Sequence, residues 1–293
     1  MIYRIHNEQA SAEIDSLGAQ LKSYKNSRGT EYLYQPQEGF WQGSAPVLFP
    51  IVGKLKGGKT IIDGKEYSMG GHGFARHIEF SIVARSEDSI TFELLSSEET
   101  LKQYPFRFKF QVVFSLDGTK LTNMFKVYNA GSREMLFCVG GHPAFRCPMD
   151  EEDSFENYMV EFEQKETVFR PFVTEDGLID FKKTTEFLKD ESEFSLTRPM
   201  FDNDAVCFTN LKSRKVKLYS KKTGNGVSMD FDGFPYFAVW TQGNRLEAPF
   251  VCLEPWTSMA DSPDTSGNFE DKIGMLSLRP QGEYSVSFTV DQL

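Results

Sequence analysis

Phe106-Arg107-Phe108-Lys109-Phe110-Gln111-Val112-Val113-Phe114-Ser115-Leu116 alternates with period two. Phe106, Phe108, Phe110, Val112, Phe114 and Leu116 fall on one side, Arg107, Lys109, Gln111 and Ser115 on the other, and only Val113 breaks the pattern. Side chains of an extended chain point alternately to opposite faces, so this spacing predicts a strand with one face in a core and one in water. Asp117-Gly118 follows, a dipeptide that readily takes positive φ, and then Lys120 to Tyr128, so the segment reads as a β-hairpin. Ile61-Ile62-Asp63-Gly64-Lys65-Glu66-Tyr67 repeats the device, and the chain ends with Tyr284, Val286, Phe288 and Val290 alternating with Ser285, Ser287 and Thr289. Further strands are expected at Ile78 to Val83, Ser89 to Leu95, Tyr158 to Phe162, Val216 to Tyr219 and Tyr236 to Trp240.

Helical signals are few. Ser96 with Glu99 makes a capping box ahead of a short stretch to Tyr104, and Thr185 to Leu188 reads as another turn. No linker or fixed-period repeat divides the chain, so residues 1–293 are expected to form one all-β domain with few short helices. The 27 phenylalanines suit a thick aromatic core between stacked sheets, one of which can offer a concave face to a ligand. Asp261 to Gly274, rich in Ser, Pro, Asp and Gly, reads as a surface loop.

Composition narrows the function classes. The chain has 32 Lys and Arg against 42 Asp and Glu, a formal charge of −10, which argues against nucleic acid as a partner. The longest apolar run, Ala45 to Val52, has eight residues and two prolines, whereas a membrane span needs roughly 18 or more. The opening Met1-Ile2-Tyr3-Arg4-Ile5-His6 has no secretory apolar region, so a cytoplasmic location is expected, with Cys138, Cys147, Cys207 and Cys252 as buried thiols. A homodimer is left open.

Two of the four histidines sit among glycines, in Gly70-Gly71-His72-Gly73-Phe74-Ala75-Arg76 and Gly140-Gly141-His142-Pro143-Ala144-Phe145. Glycine lets the backbone approach a ligand closely, and Pro143 fixes the chain just after its histidine. Either one alone reads most simply as a loop histidine bonded to backbone; the pair points to function, while His6 and His77 keep the simple reading. In Phe250-Val251-Cys252-Leu253-Glu254-Pro255-Trp256-Thr257 a carboxylate interrupts an apolar strand, which glutamate rarely does without a partner. Glu254 is either a strand-end group in solvent or a base of tuned basicity, and Trp256, on the same face, either core or a platform for a sugar ring. Two histidines and a glutamate are also metal-ligand types, but no local metal spacing accompanies them, so no metal is expected.

His72 in His-Gly-Phe-Ala-Arg, His142 in Gly-Gly-His-Pro-Ala-Phe and Glu254 in Leu-Glu-Pro-Trp, together with Pro46-Val47-Leu48-Phe49-Pro50-Ile51-Val52-Gly53-Lys54, resemble in order and spacing the aldose 1-epimerase (galactose mutarotase-like) family, particularly its LacX-like branch. The resemblance spans nearly the whole chain. It implies a large antiparallel β-supersandwich with a sugar in an open cleft, and interconversion of aldose anomers with neither metal nor organic cofactor. By position, Glu254 would be the general base on the C1 hydroxyl, His142 the general acid on the ring oxygen, and His72 a hydrogen-bonding group near that oxygen. Asp204 resembles the family carboxylate that binds sugar hydroxyls, with Asp202 close enough to leave the choice open; Lys54 and Arg76 would bind substrate.

There are departures. Galactose mutarotases carry arginine where Lys54 stands, and the His-Gly-Phe-Ala-Arg form is closer to hexose-6-phosphate mutarotases, so the sugar and its phosphorylation stay open. Arginine offers a bidentate fork and lysine a point charge, which weakens a claim of precise phosphate recognition. Two other classes stand beside the aldohexose epimerase: a non-catalytic carbohydrate-binding protein of this fold, and a metal isomerase using His72, His142 and Glu254 as ligands.

Overall fold

In the computed structural model, which describes all of residues 1–293 except 244 and 246, the founding hairpin pairs Phe108–Asp117 with Lys120–Asn129 around Gly118 at φ 59°. Phe108, Phe110, Val112 and Phe114 are buried and the residues between them half-buried, as the alternation requires. Among the described residues this hairpin supplies two inner strands of a nine-stranded antiparallel sheet. Its spatial order is Ile179–Ser195, Tyr158–Val173, Lys215–Ser220, Gly226–Asp230, Glu283–Gln292, Lys120–Asn129, Phe108–Asp117, Ser89–Leu95, Ser81–Arg85.

Opposite it lies a smaller sheet in the order Val206–Phe208, Tyr236–Trp240, Phe250–Trp256, Gly140–Gly141, Val47–Leu48, with Ala144–Arg146 also paired to Phe250–Trp256. The two sheets interlock through aromatic rings. Phe49, directly after Val47–Leu48, stacks on Phe110 at 4.4 Å and meets Phe108 at 5.1 Å. Each phenylalanine taken fully out of water contributes about 1.5–3 kcal/mol, and the largest buried cluster draws on residues from Ile5 to Val290. Strand occupies 51% of the chain and helix 8%, an all-β architecture of large antiparallel sheets.

Three expectations need correction. Thr185 to Leu188 is strand, inside Ile179–Ser195, which pairs along Tyr158–Val173; β-branched Thr184 and Thr185 suit that pairing better than a helix. The capping box sits one residue later: Ser97 caps helix Glu98–Gln103 and exchanges hydrogen bonds with Thr100, which can bond back to the cap as Glu99 was expected to. The 261–274 segment is not merely surface, since Phe269 is core and Asp261 and Lys272 form a buried ion pair at 3.0 Å. The four cysteines are free and buried. Among the described residues no helix is long and apolar enough to cross a membrane.

Candidate active site

Phe250–Trp256 is buried at every position, and its alternation explains why. Val251 and Leu253 belong to the core between the sheets, while Glu254 and Trp256, on the other face, line an open cleft of about 330 Å³. Neighbouring strands complete the floor in register: Ala238 stands opposite Glu254, Trp240 opposite Cys252, and Gly140 opposite Trp256. A side chain at Gly140 would meet the Trp256 ring at 2.9 Å, so only glycine allows this approach.

The cleft gathers all seven residues singled out in the sequence: Lys54, His72, Arg76, His142, Asp204, Glu254 and Trp256. Asp202, capping the Arg198–Phe201 turn, is outside it, whereas Asp204, at φ 74°, faces in. His142 follows Gly140–Gly141 directly, and its Nε2 lies 3.3 Å from Glu254 Oε2. His72 sits at φ 63° in the neighbouring turn, where the Gly53 amide donates to its Nδ1 at 3.2 Å. That bond puts the ring proton of neutral His72 on Nε2, making it a donor. Gly53 must be glycine: it has φ 70°, and a Cβ there would fall 2.4 Å from the Ala260 amide nitrogen. Arg76 donates to the Gly71 carbonyl at 2.8 Å and to His77 at 3.1 Å, and Lys54 to the Asp176 carbonyl at 3.0 Å.

The sequence profile of the aldose 1-epimerase family matches residues 1–267 of this chain. The chain belongs to the aldose 1-epimerase family. It is 34% identical to protein LacX of Lactococcus lactis subsp. lactis, over 99% of both chains. The crystal structure of a galactose mutarotase related enzyme from Lactobacillus acidophilus matches at TM-score 0.95 and 34% identity, covering 100% of this chain and 97% of that one. A galactose mutarotase-like protein from Lactobacillus casei matches at TM-score 0.90 and 27% identity, covering both chains fully. Family and fold together make this an isomerase-family protein of mutarotase-like function.

Within that aldose 1-epimerase frame, burial governs the electrostatics of the cleft. It holds the Glu254 carboxyl well above its usual range, helped by the Asp204 charge; the Trp256 indole N–H opposes this weakly, having no hydrogen-bond partner of good geometry. Burial pushes His142 down to about 3, its own carbonyl opposing and the Arg76 charge assisting, and holds His72 well below the ordinary histidine range. Both members of the His142–Glu254 pair are thereby driven toward the neutral form, with one proton between them.

Two cleft residues were missed at the sequence level. Trp41 stacks on His142 at 4.9 Å and 27°, and Trp240 meets the same ring edge-on at 5.6 Å. Their only signal was rarity, three tryptophans in 293 residues, and all three line this cleft. Among the described residues, one group of side chains has metal-ligand geometry: His142, Cys252 and Glu254, within 4.8 Å of one another. It does not suit a resident ion well, because burial holds the Cys252 thiol protonated and drives the Glu254 carboxyl toward its neutral form.

Proposed function

We propose that this family member interconverts the α and β anomers of an aldohexose by ring opening and closure, with Glu254 and His142 exchanging the protons and with neither metal nor organic cofactor taking part. The observation that carries this reading is the 3.3 Å separation of His142 Nε2 and Glu254 Oε2. Ring opening takes a proton from O1 and gives one to the ring oxygen. Both oxygens are bonded to C1, so an acid and a base that stand side by side, as these two groups do, can reach both. The pair carries one proton before and after opening, so the step moves no net charge through a buried site. His72 offers its Nε2–H to the same oxygens, the tryptophans offer apolar faces to the ring, and Asp204 accepts from hydroxyls. Polarimetry of freshly dissolved α-D-glucose, with EDTA present, should show catalysed mutarotation; a rate equal to the blank, for every aldose tried, moves the assignment to a carbohydrate-binding protein.

A second reading, a 6-phosphorylated aldose as substrate, has one observation in its favour: among the described residues neither Lys54 nor Arg76 has a carboxylate partner, and both face the cleft. Lys54→Ala separates the two. For a free sugar it should raise KM several-fold with kcat little changed, because Lys54 would bind ground and transition states alike. Turnover of 6-phosphorylated sugars only, abolished by Lys54→Ala or Arg76→Ala, favours the phosphate.

The shared proton also fixes the pH profile. Acid inactivation requires a second proton on the pair, which the depressed His142 resists, and alkaline inactivation requires loss of the only one, which the raised Glu254 resists. The kcat/KM profile should therefore be flat across neutrality, with an acid limb well below the ordinary histidine range; an acid limb near 6.5 contradicts the one-proton pair.

A further inference from the structure

Strand Lys120–Asn129 turns Leu121, Asn123, Phe125 and Val127 toward the core. Asn123 is out of place there. It stands opposite Phe114 on one side and Phe288 on the other, is 7% exposed, and its Oδ1 has no hydrogen-bond partner among the described residues. An amide oxygen buried without a partner costs about 1–3 kcal/mol. Behind the cleft, Nδ1 of His142 is likewise buried without a partner of hydrogen-bond geometry. Asn123 and His142 line one small cavity, together with Tyr24, Gly141, Pro143 and Phe288. Its free volume is about 10 Å³, close to the ~10–15 Å³ that a single water needs.

The geometry points to Asn123 as a positioning residue: it holds one buried water against Nδ1 of His142, keeping that nitrogen protonated and leaving Nε2 free to exchange a proton with Glu254 and the substrate. Nδ1–H donates to the water, which donates one hydrogen to Asn123 Oδ1. Tyr24, whose hydroxyl donates to the Thr119 carbonyl, also lines the cavity. In either state of the pair, neutral or ionic, Nδ1 is a donor, so one acceptor serves the whole cycle. Without it the neutral ring can hold its proton on Nε2 instead, which blocks the transfer.

This assignment rests on the proposed roles of His142 and Glu254. Asn123→Leu removes the acceptor with little change of shape. It should lower kcat about 10- to 100-fold with KM unchanged, and change the melting temperature little, since a polar amide leaves an apolar core while the water loses one acceptor. Nitrogen-15 NMR of the unliganded protein should show His142 as the Nδ1–H tautomer in the wild type and in Asn123→Asp, and predominantly as the Nε2–H tautomer in Asn123→Leu. A wild-type tautomer and a kcat within about twofold in Asn123→Leu overturn the proposal, as does a high-resolution crystal structure with this cavity dry. Should Asn123→Leu not fold, loss of the Nδ1–H tautomer in Asn123→Asp overturns it equally. The tautomer is read without substrate, so it is independent of the rate in Glu254→Gln, on which the functional reading stands or falls.

Discussion

Glu254→Gln and His142→Asn should each lower the kcat of anomer interconversion by about 10²- to 10⁴-fold, the usual contribution of a positioned acid or base. Both replacements are close in size to the originals, and both residues face the cleft rather than the core between the sheets, so far-ultraviolet circular dichroism should not change. The two groups hand one proton back and forth, so the double variant should be little worse than either single one. Saturation-transfer NMR at the anomeric proton measures the rate directly. Retention of more than about half the wild-type rate in either variant removes the role assigned to that residue.

The second large effect concerns stability. Asp261 and Lys272 pair at 3.0 Å with side chains 5% and 1% exposed, and Asp261 gathers the walls of the cleft. Its second carboxylate oxygen accepts from the Lys56 amide at 2.9 Å, its amide donates to the Lys54 carbonyl at 2.8 Å, and its carbonyl accepts from Ile179 at 2.9 Å. Lys272→Met strands a buried carboxylate. Breaking one side of such a pair costs about 3–5 kcal/mol, which for a chain of this length lowers the melting temperature on the order of 10 °C. Asp261→Asn combined with Lys272→Met leaves no buried charge and should recover most of the loss. A single-variant loss below about 1 kcal/mol in calorimetry would falsify the buried-pair account.

The strands most legible in the sequence include those with one wet and one dry face, Ser89–Leu95 and Phe108–Asp117 among them. Ser89–Leu95 and Tyr236–Trp240 lie where their residues place them, and Phe106–Leu116 is shifted by at most two residues. Ile179–Ser195 escaped because most of it is exposed on both sides, and its pairing with Tyr158–Val173 slips register at several bulges, so no period of two survives. His72, His142 and Glu254 stood out as polar groups in settings of glycine or apolar side chains. Trp41 and Trp240 carry no such local contrast: an aromatic in a β-rich chain reads as core, and only the tertiary fold brings them to a histidine about 100 residues away in sequence. Lys272 was hidden for a similar reason, since a lysine in a polar loop is ordinarily solvated.

The grouping of Trp41, Trp240 and Trp256 around His142 and His72 has a practical consequence. The chain has no other tryptophan, so its tryptophan fluorescence, excited at wavelengths that tyrosine does not absorb, comes entirely from this one cleft. A bound sugar that displaces water from those rings, or a proton gained by the imidazole stacked on Trp41, alters that emission with no tryptophan elsewhere to dilute the change. The protein thus carries its own optical probe for titrating candidate sugars before any turnover assay exists.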